Sequence, residues 1–428
     1  MNILIKGGTV INPATNMEEE ADVFISHGLV EEIGKNLSDE FAEEIIDAHG
    51  CFVCPGFVDL HVHLRDPGQT HKGDIATESK AASRGGYTTI FAMPNTTPVV
   101  DKEDMIEYVQ MKGNDVGLVE VRQVGAITEG MEGEVVSDME GMMDGGCIAF
   151  SEDGKSVMDS GVLREAMQIA KNHDVLIMSH CEDKNLVWGG VMNAGKKAEE
   201  LGLPGITNAV ENIIVARDLM LAEETGARVH LCHCSTKESV EMLAAAKKKG
   251  ANVSGEVCPH HFTLSEKDIP GADDANFKMN PPLRTKKDVE ALKGAISVGT
   301  IEAISTDHAP HSEEEKAQGF LEAPFGIVGM ETAAALTYTN LVLGGYISPM
   351  GMISALSTNP ARIAKIDRGD ISVGKTANIT IFDPSFEYEI HASDLAGPAR
   401  NMPYEGMKVN GRVVGTILKG KITYRYVD

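Results

Sequence analysis

The sequence contains no apolar run long enough to span a membrane, and its N-terminus lacks a basic region followed by a long apolar one. Both absences predict a cytoplasmic protein. Positive charge is scarce: Lys+Arg number 38 against 64 Asp+Glu, a formal net charge of −26. A field of that sign argues against nucleic acid or an anionic membrane as partner. It also repels anionic substrates at long range, so any anion-binding site here needs local cations. The seven cysteines (Cys51, Cys54, Cys147, Cys181, Cys232, Cys234, Cys258) are odd in number and scattered through apolar segments. That distribution argues against a disulfide scaffold. Cys51-x-x-Cys54 has no second CxxC and reads as buried thiols rather than a zinc knuckle. Internal repeats, low-complexity tracts and long linkers are also missing.

With 428 residues the chain can bury a large core and carry more than one domain. Residues 1–50 show short alternating segments, Asn2–Lys6, Asp22–Ile25, Leu29–Ile33 and Glu44–Asp47, separated by Gly, Asn and Asp. They predict a small antiparallel β unit. The same texture returns near the C-terminus at Ile379–Phe382, Glu387–Ile390, Met407–Asn410 and Val413–Leu418. Neither end has enough strand to stand alone, so the two predict one split β domain.

Between them, strand and helix patterns alternate. The strand candidates are Phe57–His63, Thr88–Met93, Leu118–Gly125, Cys147–Ser151, Val175–His180, Arg228–Cys234, Asn252–Val257 and Ile301–Thr306. Helical stretches include Ser160–Asn172, Val210–Glu224, Thr236–Lys249 and Lys286–Ser297, with a further helix over Pro349–Ile366. An open doubly wound sheet would usually carry a Gly-rich phosphate loop after its first strand, and His63-Leu-Arg-Asp-Pro-Gly-Gln69 is not one. The predicted fold is α/β: a (β/α)₈ TIM-type barrel over residues 55–367, with a small β-sandwich domain built from residues 1–54 and 368–428.

In such a barrel the working residues sit at the C-terminal ends of different strands. Strand one ends His61-Val62-His63-Leu64-Arg65, and its two histidines, two residues apart, share a face. The ends of strands four, five, six and eight bring Asp153, His180, His233 and Asp307. Four His and two Asp suit Zn²⁺ or a similar divalent ion. Six ligands exceed one tetrahedral shell, so two metals bridged by a carboxylate and a hydroxide fit the count better. The reaction class is metal-assisted hydrolysis of an amide-like bond, with Asp307 also able to take a proton from the attacking water. Glu152 competes with Asp153, but strand alternation puts the two on opposite faces.

These residues carry a resemblance. His61-x-His63 after P-G-x-x-D, followed by His180, His233 and Asp307, resembles the amidohydrolase superfamily. Within it, HLRDPGQ (63–69), MPNTTP (93–98), NPPLR (280–284) and TDHAPH (306–311) together resemble the dihydroorotases of the long bacterial type, over roughly residues 55–330. The resemblance implies reversible hydrolysis of L-dihydroorotate to N-carbamoyl-L-aspartate in pyrimidine synthesis. It implies one zinc on His61, His63, Asp153 and Asp307 and a second on His180 and His233. Asp153 would bridge them in place of the carboxylated lysine of many relatives. It further implies Arg65, Asn95 and His311 on the substrate carboxylate and Asn280 on the ring amide. It suggests an association with aspartate transcarbamoylase, and a homodimer is the common default for soluble enzymes. Sister cyclic amidases, allantoinase or hydantoinase, usually carry the bridging lysine, and a substrate without a carboxylate has less use for Arg65. A non-catalytic homologue would show lost ligands, and none of the six is missing.

Other residues read as structural. His260 and His261 follow strand seven, but the ligand set is already complete without them. His230 and His308 read as core or supporting residues, His71 as a loop residue, Met142 and Met143 as core filler, and Glu313-Glu314-Glu315 as a solvated face. Residues 310–329 read as a mobile loop over the site. Asn378 stands where the superfamily usually has Asp, far from these motifs.

Overall fold

The computed structural model describes residues 1–427. In the N-terminal region, β1 (Ile3–Asn12), β2 (Met17–Ser26) and β3 (Leu29–Gly34) pair antiparallel in sequence. The expectation of a purely antiparallel unit needs correction, because β1 also runs parallel to β4 (Glu44–Asp47) and β5 (Phe52–Pro55). The chain returns over residues 35–43 to the starting edge, so β4 enters in the same direction as β1.

Next come the all-buried strand β6 (Phe57–Val62), α1 (Ile75–Arg84), β7 (Tyr87–Ala92), α2 (Glu103–Val116), β8 (Glu120–Gln123), β9 (Gly125–Ala126) and β10 (Ala149–Ser151). Then follow α3 (Ser160–His173), β11 (Leu176–Ser179), α4 (Asn208–Thr225), β12 (Arg228–Leu231), α5 (Lys237–Lys248) and β13 (Val253–Val257). The short α6 (Pro259–Thr263), α7 (Lys286–Ser297), β14 (Ala303–Ile304) and α8 (Glu313–Lys316) complete this part. Pairing is parallel throughout: β6 with β7, β7 with β8, then β9-β10-β11-β12-β13-β14. Strands covered on both faces read as continuous apolar runs, which is why periodicity alone marks them weakly. The helices explain themselves better. In α3, Leu163, Ala166, Met167 and Ala170 form one buried stripe. In α7, the Thr285 hydroxyl and the Asp288 carboxylate cap each other's backbone.

The two ends of the parallel series approach each other. His308, just past β14, forms a parallel bridge to Val62, and the His63 N–H donates to the His308 carbonyl at 2.8 Å. Asp59 of β6 accepts from the Thr306 N–H at 3.1 Å and the Thr306 hydroxyl at 2.6 Å. The expected third and eighth strands are shorter than their apolar patterns: Leu118–Gly125 breaks into β8 and β9, and only Ala303–Ile304 of 301–306 keeps strand pairing. The helix expected over Pro349–Ile366 forms as Pro349–Ile353 and Asn359–Ala364, joined by a π-helical turn at Ser354–Thr358.

The chain closes on β15 (Ile379–Glu389), β16 (Lys408–Leu418) and β17 (Lys421–Arg425). β15 pairs antiparallel with β5, which merges both ends of the chain into one mixed eight-stranded sheet. Its core joins Ile3, Ile5, Val23 and Val53 to Ile379, Ile381 and Ile417. No helix among the described residues is long and apolar enough to cross a membrane. A chain ending at residue 367 would leave β5 with β1 alone as partner and open that core. It should show no cooperative thermal transition in a melting experiment followed by circular dichroism.

Candidate metal and substrate site

All four histidines and both aspartates expected to act together converge at the C-terminal ends of the parallel strands. His61 Nε2 lies 3.1 Å from Asp153 Oδ1 and 3.5 Å from Asp307 Oδ1. His63 Nε2 lies 3.1 Å from Asp307 Oδ1 and 3.4 Å from Asp153 Oδ2. His180 Nδ1 and His233 Nε2 sit 3.2 and 3.6 Å from the same Asp153 Oδ1, and 2.9 Å from each other. Every one of these residues is buried. Glu152 is turned aside and accepts from the Thr128 N–H at 3.1 Å and from the Thr128 hydroxyl.

Buried carboxylates need nearby positive charge. Burial alone would lower the basicity of His61, but Asp153 and Asp307 raise it well above the ordinary imidazole value. Burial raises Asp153 and Asp307 in turn, and His61 with its neighbours more than reverses this, leaving both carboxyls well below the usual range. Two triads, His61–His63–Asp307 and His61–Asp153–His233, each hold three donor atoms within 4.8 Å of one another. His61 Nε2 and Asp153 Oδ1 make no hydrogen bond among the described residues. Buried donors that are aimed at one another and left unpaired fit a divalent cation.

The orientation of the ligands comes from residues behind them. The His61 Nδ1–H donates to Glu256 Oε1 at 3.0 Å, which leaves Nε2 facing the two aspartates. Glu256 also accepts from His230 Nε2 at 3.0 Å, so His230 supports the site from one step away. The sequence reading passed over Glu256, although a charged residue inside the apolar strand V-S-G-E-V is a signal. Asn95 Oδ1 accepts from His63 Nδ1 at 2.9 Å, a second job for a residue expected only to meet substrate. Arg65, His233 and Asp307 all have positive φ, at 62°, 33° and 49°. Three non-glycine residues in the left-handed region at one site are strain of the kind that functional sites store.

A cleft of about 160 Å³ is lined by His63, Asp153, His180, His233 and Asp307 together with Arg65, Asn95, Asn280 and His311. His61 lies beneath it. Burial lowers Arg65 to about 10, so the guanidinium stays charged near neutrality, and its Nε–H donates to the Pro310 carbonyl at 3.0 Å. The Asn280 amide donates to Glu182. Phe325 and Gly326 of the 310–329 segment form the far wall. Lys316 fastens that segment: its Nζ donates to the carbonyls of Lys278, Pro324 and Gly326 at 3.1, 3.0 and 2.9 Å.

His260 and His261 form a separate buried group with Cys258, and burial pushes both imidazoles down, His261 to about 4. His308 donates to Glu78 at 2.7 Å, His71 is exposed, and Glu313 and Glu314 face solvent. Glu315 departs from the expected solvated face, because it pairs with Lys72 at 2.9 Å. All seven cysteines are buried and free.

A family model described as dihydro-orotase-like matches residues 50–239. A dihydroorotase of Pelotomaculum thermopropionicum is 44% identical over 422 residues, covering 99% of this chain and 98% of its own. A dihydroorotase of Ligilactobacillus salivarius is 46% identical over 428 residues, covering 99% of both. Among solved structures, a D-hydantoinase superposes with a TM-score of 0.86 at 26% identity, covering 99% of this chain and 95% of its own. The L-hydantoinase (dihydropyrimidinase) of Arthrobacter aurescens gives 0.87 at 24% identity over 100% and 96% of the two chains, a likeness of fold. Whole-length identity at this level sets the hydantoinase-like fold aside as a guide to substrate: the chain belongs to the dihydroorotase family.

Proposed function

We propose that this protein is a dihydroorotase, a cyclic amide hydrolase that interconverts L-dihydroorotate and N-carbamoyl-L-aspartate in pyrimidine biosynthesis. The observation that carries the reading is a single cleft lined by groups of two opposite chemistries, the imidazole–carboxylate cluster and the charged Arg65. A substrate suited to both carries a hydrolysable amide at one end and a carboxylate at the other. Dihydroorotate has both, and hydantoin and allantoin have no carboxylate for Arg65.

His61, His63, Asp153 and Asp307 would hold one Zn²⁺ and His180 and His233 a second, with Asp153 shared. Bound there, the metal pair supplies a water acidified toward neutrality and a Lewis acid for the carbonyl oxygen. Asp307, kept ionised by His61 and His63 against its burial, accepts the proton of the attacking water. The water oxygen forms the new C–O bond and the ring C–N bond breaks. Asp307 then returns the proton to the departing nitrogen. Arg65 grips the substrate carboxylate with its planar fork. Asn95 and His311 add hydrogen bonds, and Asn280 meets the ring amide.

The same reading closes the parallel strands into a (β/α)₈ barrel over residues 55–367. Residues 1–54 and 368–428 form a separate β-sandwich domain. Asp59 and the Val62–His308 bridge support closure. It extends to a cytoplasmic enzyme acting on a small molecule. A homodimer is the common arrangement of soluble enzymes, and aspartate transcarbamoylase is the partner that the resemblance implies.

The deciding experiment is dihydroorotate hydrolysis by purified protein, run beside hydantoin and allantoin, with metal analysis of the same sample. Turnover of dihydroorotate alone with about two zinc per chain is expected; zinc-loaded protein that turns over only the carboxylate-free substrates sinks the reading. Arg65→Met should raise KM for dihydroorotate by about 10- to 100-fold, the scale of one charge-assisted contact, with metal content unchanged. Glu256→Gln should weaken metal retention by about 10- to 100-fold, read as faster zinc loss to a chelator. Retention equal to the parent protein would remove Glu256 from the orienting role.

A further inference from the structure

Lys72 lies outside every motif used so far, yet it touches the substrate wall of the cleft. Its Nζ is 2.9 Å from Glu315 Oε1 and 3.5 Å from His311 Nδ1. The ring of His311 is constrained at its other nitrogen as well. His311 Nε2 sits 2.8 Å from the Phe325 carbonyl, which can only accept, so Nε2 carries a hydrogen. Arg65 Nη2, at 3.1 Å from the same nitrogen, then stands beside that N–H as a neighbouring donor. Burial, followed by the charges of Arg65, Lys72 and Lys316, pushes His311 down to about 2, so the ring is neutral near pH 7.

A neutral imidazole with hydrogen on Nε2 has its lone pair on Nδ1. Two groups face Nδ1. Lys72 donates, and favours this tautomer. Glu315 Oε2, 3.5 Å away, accepts, and on its own would favour the opposite one. Glu315 is occupied by Lys72 and by the N-terminus of α8, where its carboxylate accepts from the Ser312 N–H at 3.0 Å. Lys72 and the Phe325 carbonyl therefore favour the same tautomer from opposite sides of the ring, and Glu315 holds Lys72 in place.

We propose that Lys72, anchored by Glu315, is a positioning residue for the substrate carboxylate: with the Phe325 carbonyl it keeps His311 as an Nε2–H donor next to Arg65. The proposal rests on the reading that Arg65 and His311 receive that carboxylate. The cleft then offers a guanidinium and, beside it, an imidazole N–H that shares its hydrogen between the Phe325 carbonyl and a bound carboxylate. Because Glu315 belongs to α8, the segment over the cleft is tied to the group that recognises substrate.

The test uses the full-length, metal-loaded enzyme with Lys72→Met, Lys72→Arg and Glu315→Gln. Lys72→Met should raise KM for dihydroorotate by about 10-fold, the size of one hydrogen bond involving a charged group, with kcat changed by less than about two-fold. Lys72→Arg should restore most of the KM, since it returns a donor to Nδ1. Nitrogen-15 NMR of the His311 ring should report hydrogen on Nε2 in the parent and a shift toward Nδ1 in Lys72→Met. Glu315→Gln, which keeps the Ser312 contact but loosens Lys72, should give a smaller KM increase and serves if Lys72→Met fails to fold. An unchanged KM with an unchanged tautomer overturns the proposal, as does an equal loss in Lys72→Arg. Should the parent protein not turn over dihydroorotate, the functional reading fails by itself, and the ring tautomer still decides the role of Lys72.

Discussion

Two buried carboxylates, Asp153 and Asp307, set the terms for the rest of this molecule. Burying one anion without a partner costs several kcal/mol, and burying two within reach of each other costs more. Four imidazoles gathered from strands one, five and six meet that cost, and they can be gathered only where strand ends face one opening. The parallel strands, the Asp59 stitch between β6 and Thr306, and the left-handed backbone at His233 and Asp307 all serve that convergence. Glu256 completes it by accepting from His61 and His230 together, which leaves His61 Nε2 as the nitrogen turned toward the aspartates. The strain and the charge burial are tolerable because the surrounding core over-determines both.

The acidic balance of the chain poses a second constraint. A protein of net charge −26 that binds a carboxylate must build its own positive region. Arg65, Lys72 and Lys316 do this within one corner of the cleft, around His311. Burial, reinforced by the charges of Arg65, Lys72 and Lys316, keeps the imidazole of His311 neutral, so it serves as a hydrogen-bonding group rather than a charge. Lys316 carries the principle into the covering segment, where its ammonium collects three backbone carbonyls.

The legible part of this architecture is the part dictated by period and by chemistry. His61 and His63 share a face because strands alternate, and Asp153 could be preferred over Glu152 for the same reason. Helices α3 and α7 begin where their caps stand, and α7 matched at both ends. What stayed hidden depended on contacts across large sequence separations. Glu256 is 195 residues from His61, and only the fold makes them neighbours. Lys72 and Glu315 look like surface charges until α8 is laid beside the first strand's loop. The parallel entry of β4 beside β1 was equally invisible, since alternation shows which residues face inward and says nothing of strand direction. Strand ends also shortened: Ile301–Thr306 is apolar enough for a full strand, but regular pairing ends at Ile304, and Thr306 gives its N–H to the Asp59 side chain instead of a strand carbonyl.

Asn95 shows why geometry changes the meaning of a residue that resemblance alone had assigned. Its side-chain oxygen accepts from His63 Nδ1, so the histidine's other nitrogen is available to the aspartates. The amide NH₂ is what remains for the cleft. One side chain thus orients His63 with one atom and offers the other to the cleft, and only a substitution such as Asn95→Asp, which keeps the accepting oxygen and loses the NH₂, separates the two. Arg65 differs. Its contacts run to Pro310 and His311 and to no member of the imidazole–carboxylate cluster. Affinity and metal retention can therefore move independently at Arg65, whereas at Asn95 loss of the whole amide moves both.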